Sequence, residues 1–150
     1  MRYKNIPTKA KIGGQWYHFR SRWEYYYACY LHQLIIAGKL KAFHYEKAIF
    51  VFTTVKKGQP KGYYRKIKQV GSDVKVFFSR KEGSKRKTVC FAYLSDFIEV
   101  SNNDKVLFTE IKGKFDARSR QYIKNMRKYF PHVPFNVVAE EEMKRLGLIS

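Results

Sequence analysis

The chain has 150 residues, 45% of them hydrophobic, enough to bury one core and too many for an intrinsically disordered protein. Thirty-one Lys and Arg oppose twelve Asp and Glu, giving a formal charge of +19 and making a polyanion, nucleic acid by default, the expected partner ahead of a membrane or an acidic protein. No stretch approaches the roughly twenty apolar residues of a membrane span. The amino terminus lacks a secretory-type apolar segment, and Cys29 and Cys90 show no zinc-ligand spacing. A single domain over residues 1–150 is expected, with no membrane association, in a reducing cytoplasm.

Residues 1–15 read as a basic arm that orders on binding, followed after Gly13-Gly14 by the extended piece QWYHF. SRWEYYYACYLHQLIIAGK carries Trp23, Tyr27, Tyr30, Leu31, Leu34 and Ile35 at helical spacing, with Gly38-Lys39 as a stop. Ser21-x-x-Glu24 at its start has capping-box form, in which the acid would bond back to the Ser21 backbone. HYEKAIFVFTTV alternates and predicts one strand, with Glu46 near its start in an ion pair. Residues 53–91 place twelve Lys and Arg against Asp73 and Glu82, and turn signals divide them into a strand-rich basic insertion whose loops touch phosphate or simply face solvent.

YLSDFIEVSNNDKVLFTEIKGK, residues 93–114, predicts a β-hairpin. DARSRQYIKNMRKYF predicts a helix with Tyr122, Ile123, Met126, Tyr129 and Phe130 on its apolar face, ended by Pro131. FNVVA reads as a buried strand, and EEEMKRLGL as a last short helix whose glutamates sit at its favourable amino end.

Strand alternation puts Leu94, Asp96, Ile98 and Val100 on one face and Val106, Phe108, Glu110 and Lys112 on another. With Val100 opposite Val106, Asp96 falls opposite Glu110, and directly opposed carboxylates at roughly 5 Å would repel. A Mg²⁺ ion, which takes one or two carboxylates plus water and phosphate oxygens, would neutralise them. Lys112, one alternation beyond Glu110, would help orient or deprotonate the attacking water and offset charge on a phosphate. The plain alternative is a hairpin with an Asp96–Lys112 ion pair.

The order SDF, TEIKGK, helix, FNVV resembles the PD-(D/E)xK nuclease superfamily, whose core puts Asp on one strand and E-x-K on the next, followed by a helix and a strand. FRSRWE, residues 19–24, is similar to the helix start of the endonuclease I junction-resolving enzymes of T-odd coliphages and of related transposon-end nucleases. Small phage endonuclease-like proteins share a helical Glu, a basic strand region, an A-D-F strand and an E-x-K-G turn, so the resemblance spans about residues 16–139. It implies an α/β restriction-endonuclease-like fold, a mixed central sheet flanked by helices with a basic strand-rich insertion. It also implies a Holliday-junction-type endonuclease acting in DNA recombination, using Mg²⁺ or Mn²⁺, working as a homodimer on branched DNA. Glu24, Asp96, Glu110 and Lys112 would be catalytic, with Asp96, Glu110, Glu24 and the Ile111 carbonyl on the metal. Arg20, Arg22, Lys114, Arg118, Arg120 and Lys124 would contact DNA. Ser95 stands where the superfamily has Pro. A non-catalytic nucleic-acid binder with the same fold and a sequence-specific or transposon-end nuclease are the alternatives.

Overall fold

The computed structural model describes residues 5–51, 63–66, 77–80 and 92–150. Strands β1 (Thr8–Ile12) and β2 (Gln15–Phe19) form an antiparallel hairpin, so part of the expected arm is a strand. Gly13 and Gly14 make its tight turn at φ 58° and 83°, a region that side chains with a Cβ rarely enter. Helix α1 (Arg22–Ile36) starts at Ser21, whose hydroxyl accepts the Glu24 backbone N–H, and buries Trp23, Tyr27, Ala28 and Leu31.

The expected single strand over 44–55 is two elements among the described residues, β3 (Ala42–Tyr45) and β4 (Ile49–Val51), separated by Glu46 at φ 51°. Within the insertion, β5 (Tyr63–Lys66) pairs with β6 (Phe77–Arg80) antiparallel. The rest of the insertion, most of its cations and Cys90 lie outside the described residues. The expected hairpin comprises β7 (Ala92–Leu94), β8 (Phe97–Val100) and β9 (Val106–Ile111), with Val100 opposite Val106. Helix α2 (Ala117–Tyr129), capped by Asp116, leads to β10 (Phe135–Val138) and α3 (Glu140–Arg145).

The central sheet is mixed, in the order β10-β9-β8-β3, with β9 and β10 parallel and the other pairs antiparallel. α1 packs on one face through Trp23, Tyr27 and Leu31 against Phe43, Phe97 and Ile111. On the opposite face Met126, with Tyr122 and Phe130, meets Ile98, Val106 and Phe108. Both faces of β8 and β9 are therefore covered. Tyr129, expected on the buried stripe of α2, is 42% exposed, whereas Asn125, not on that stripe, is buried beside Met126. β10, expected to be buried, is an edge strand with only Val138 fully covered. Among the described residues no helix is long and apolar enough to cross a membrane.

Candidate active site

The site begins with an irregularity. Between β3 and β4, Glu46, Lys47 and Ala48 oppose only Ser95 and Asp96 between β7 and β8. Backbone bonds from Glu46 N to Asp96 O and from Ser95 N to Ala48 O, each 2.9 Å, flank the extra residue. This is a β-bulge, absorbed by the positive φ of Glu46, and it lets the ladder pass from one sheet to the next. Its consequence is to bring Glu46 and Asp96 together with Glu24 of α1, each offering an oxygen within 4.8 Å of the others.

Each acid is fixed by specific partners. Asp96 leaves the ladder just before β8; its Oδ2 accepts the Ile111 backbone N–H at 2.8 Å and its Oδ1 accepts from Arg20 Nη2 at 3.4 Å. The Asp96–Lys112 ion pair is not formed. Lys112 Nζ lies instead 3.9 Å from Glu110 Oε1, as neighbours on one strand face should. Glu46 Oε1, closed off from solvent, lies 2.5 Å from Arg20 Nε, so the guanidinium holds Glu46 and Asp96 at once. Glu24 accepts from the Ser21 hydroxyl at 2.7 Å and from the Tyr45 hydroxyl at 2.9 Å. The return bond of the expected capping box thus goes to the Ser21 side chain rather than its backbone, leaving the carboxylate angled inward. Glu110 Oε2 accepts from the Tyr93 hydroxyl.

Glu24, Asp96, Glu110, Ile111 and Lys112 line one cleft of about 270 Å³, together with Asn5, Arg20, Tyr93, Leu94, Arg118 and Tyr122. Burial, with the charges of Glu110 and Glu24, holds the Asp96 carboxyl well above the usual aspartate range, against the pull of the Ile111 N–H. Burial also raises Glu110, while hydrogen bonds from Tyr93 and Asp96 and the Lys112 charge work the other way. The charge of Glu110 thus works against ionisation of Asp96, as paired carboxyls in one site do. Burial and the neighbouring Glu110 push the Tyr93 hydroxyl far up, so it stays a donor. Burial lowers the pKa of Arg20, but Glu46, Asp96 and Glu24 outweigh it and hold the guanidinium charged.

No family model matches the chain. No curated protein and no solved structure matches it either. Function must therefore be read from the cleft's own chemistry. Three of the twelve acids of a chain with net charge +19, Glu24, Asp96 and Glu110, line this cleft, with Glu46 close to the first two, and their hard oxygens are the donors that Mg²⁺ or Mn²⁺ takes. Only Arg20 and Lys112 form direct ion pairs with them among the described residues, which leaves a local excess of negative charge that fits a divalent cation.

Of the six expected DNA contacts, Arg20 and Arg118 line the cleft, Arg118 donating to the Tyr122 hydroxyl with its guanidinium 5.5 Å from that ring. Arg22, Lys114, Arg120 and Lys124 are exposed but are not part of the cleft lining. Sequence reasoning missed Tyr45 and Tyr93, which read as two more core aromatics, and gave Glu46 only an ion pair.

Proposed function

We propose that the protein is a metal-dependent endonuclease that hydrolyses DNA phosphodiester bonds, acting on branched DNA such as Holliday junctions. The observation carrying this reading is the convergence in one cleft of Glu24, Asp96, Glu110 and Lys112 from α1, the β7–β8 junction and the end of β9. The order α1, β3, β8, β9, α2, β10, with Asp before β8 and E-x-K closing β9, supports a restriction-endonuclease-like fold of the PD-(D/E)xK type. Mg²⁺ or Mn²⁺ would be held by Asp96, Glu110, Glu24 and the Ile111 carbonyl, with Glu46 in reach. When bound, it supplies Lewis-acid activation of water and neutralises charge developing on phosphate.

The chain's own groups do the rest. Tyr93 anchors one oxygen of Glu110 and Tyr45 one oxygen of Glu24, so neither carboxylate can swing away. Lys112, half-buried on the cleft wall, orients the attacking water and offsets charge on the phosphate. Arg118 contacts the phosphate backbone beside it. Resolution of a junction needs two cuts, so the working form is a homodimer.

Linear duplex, single strands, flaps and four-way junctions incubated with Mg²⁺ or with EDTA test the reading. Products are expected only with Mg²⁺, most from branched substrates, and none from Asp96→Asn. No product from any substrate would overturn it in favour of a non-catalytic binder, whose affinity would simply fall with salt. A fixed cut site on linear duplex would favour a sequence-specific or transposon-end nuclease.

A further inference from the structure

The amino-terminal hairpin has two unlike faces. Ala10, Ile12, Tyr17 and Phe19 pack into the α1 core. Lys9, Lys11, Trp16 and His18 all face solvent, with Lys11 opposite Trp16 and Lys9 opposite His18. Trp16 is 59% exposed, and Lys9 Nζ stands 5.2 Å from its ring centroid. The chain's other tryptophan, Trp23, is buried in the core, so an exposed indole here owes nothing to folding.

The hairpin is also placed against the cleft. Asn5, before β1, and Arg20, after β2, both line it. Trp16, His18 and Arg20 follow one alternation, which at the usual strand rise sets Trp16 about 14 Å from Arg20. The platform is held firmly: Gly13 lies so near α1 that a Cβ there would meet the His32 ring at 3.1 Å.

We propose that this outer face holds an unpaired DNA strand as it leaves the cleft, with a base stacked on Trp16 and the flanking phosphates on Lys9 and Lys11. A base inside a duplex already has both π-faces covered by its neighbours, whereas an unpaired base has a face free for the indole, and stacking tolerates any sequence. The lysines supply the charge complementarity that a phosphate backbone requires. The inference rests on the cleft being where DNA is cut, and it gives selectivity for branches that carry a single strand a physical source: a flap offers unpaired bases where a fully paired duplex offers none.

The test measures binding of the full chain in EDTA, by anisotropy of labelled oligothymidylate and of labelled blunt duplex, and by tryptophan emission. Oligothymidylate should quench the Trp16 emission saturably. Trp16→Ala should weaken oligothymidylate binding by about ten-fold or more while changing duplex binding by less than about two-fold, and Trp16→Phe should restore most of the loss. Lys9→Gln with Lys11→Gln should reduce the salt slope on oligothymidylate by about 1.4. Unchanged affinity in Trp16→Ala, equal losses on both ligands, or unquenched emission would overturn the proposal. Because nothing is cut in EDTA, the outcomes separate. An inert protein that passes refutes only the nuclease, and an active one that binds unchanged without Trp16 refutes only the platform.

Discussion

Replacing Asp96 by Asn should make the metal-free protein more stable while abolishing the proposed cleavage of DNA. The Asn carbonyl keeps the acceptor that Asp96 Oδ2 offers to the Ile111 N–H at 2.8 Å, so the backbone loses nothing. What disappears is one charge among acids whose oxygens lie within 4.8 Å of each other. At an effective dielectric of about 20, two unit charges at that limit repel by about 3.5 kcal/mol, so ionised Glu24 and Glu46 together act on Asp96 with at least about 7 kcal/mol, before any repulsion from Glu110 is added. Arg20, 3.4 Å away, returns about 5 kcal/mol on the same footing. The net gain from Asp96→Asn is then at least about 2 kcal/mol, which is about 4–8 °C in Tm for a domain of this size.

The sign depends on pH. The folded-state pKa of Asp96 is raised, so from its ordinary value of 3.8 upward the folded state keeps a proton that the unfolded chain loses. Wild-type stability therefore falls as pH rises through that window, and the advantage of the variant grows with it. Thermal unfolding followed by circular dichroism in EDTA at several pH values measures this directly. Millimolar Mg²⁺ should then raise the wild-type Tm and leave that of Asp96→Asn nearly unmoved. A variant no more stable than wild type at pH 8 in EDTA, or one with an undiminished Mg²⁺ response, would refute the reasoning.

The remaining expectations concern the groups around these acids. Tyr93→Phe removes the hydroxyl bonded to Glu110 and should raise the Mg²⁺ concentration needed for half-maximal cleavage by about 10–100-fold with little change in Tm, read from metal titrations of rate. Arg20→Gln leaves Glu46 and Asp96 without their shared cation. Since Arg20 is more than half exposed, the loss in EDTA should be about 1–2 kcal/mol, below that of a fully buried pair, and Mg²⁺ should recover most of it in urea unfolding. Glu99, bonded to Tyr27 at 2.9 Å and to Thr109 under α1, has its pKa raised by burial despite those bonds. Its ionisation therefore costs stability as pH rises. Glu99→Gln should be close to neutral near pH 4 and stabilising by about 1 kcal/mol at pH 8, in the same unfolding assay.

The hairpin and its register were legible because period-two alternation and a five-residue turn over 101–105 leave few ways to pair Val100 with Val106. Helix α1 was legible from its apolar spacing and from Ser21, whose cap depends on local sequence alone. The sheet switch was not. A glutamate at φ 51° carries no local signature, and the bulge exists because β3 and β4 find different sheets, which only tertiary pairing decides. The role of Arg20 was partly hidden for the same reason, since its two acids lie 26 and 76 residues away in sequence. β1 looked like an arm because its lysines alternate with small or apolar residues on a two-stranded hairpin, where a strand needs little hydrophobicity to pair. Asp96 and Glu110 could be placed by counting residues, but the tyrosines that steady Glu24 and Glu110 could not, because buried tyrosines serve packing and hydrogen bonding alike.

The central claim is that the acids of this cleft hold a divalent cation. Anomalous diffraction from crystals soaked in Mn²⁺ tests it most directly. A peak between Asp96 and Glu110, within coordination distance of both and missing in Asp96→Asn crystals, is the predicted result. Mn²⁺ bound elsewhere on the protein, with no peak in the cleft, would contradict the account.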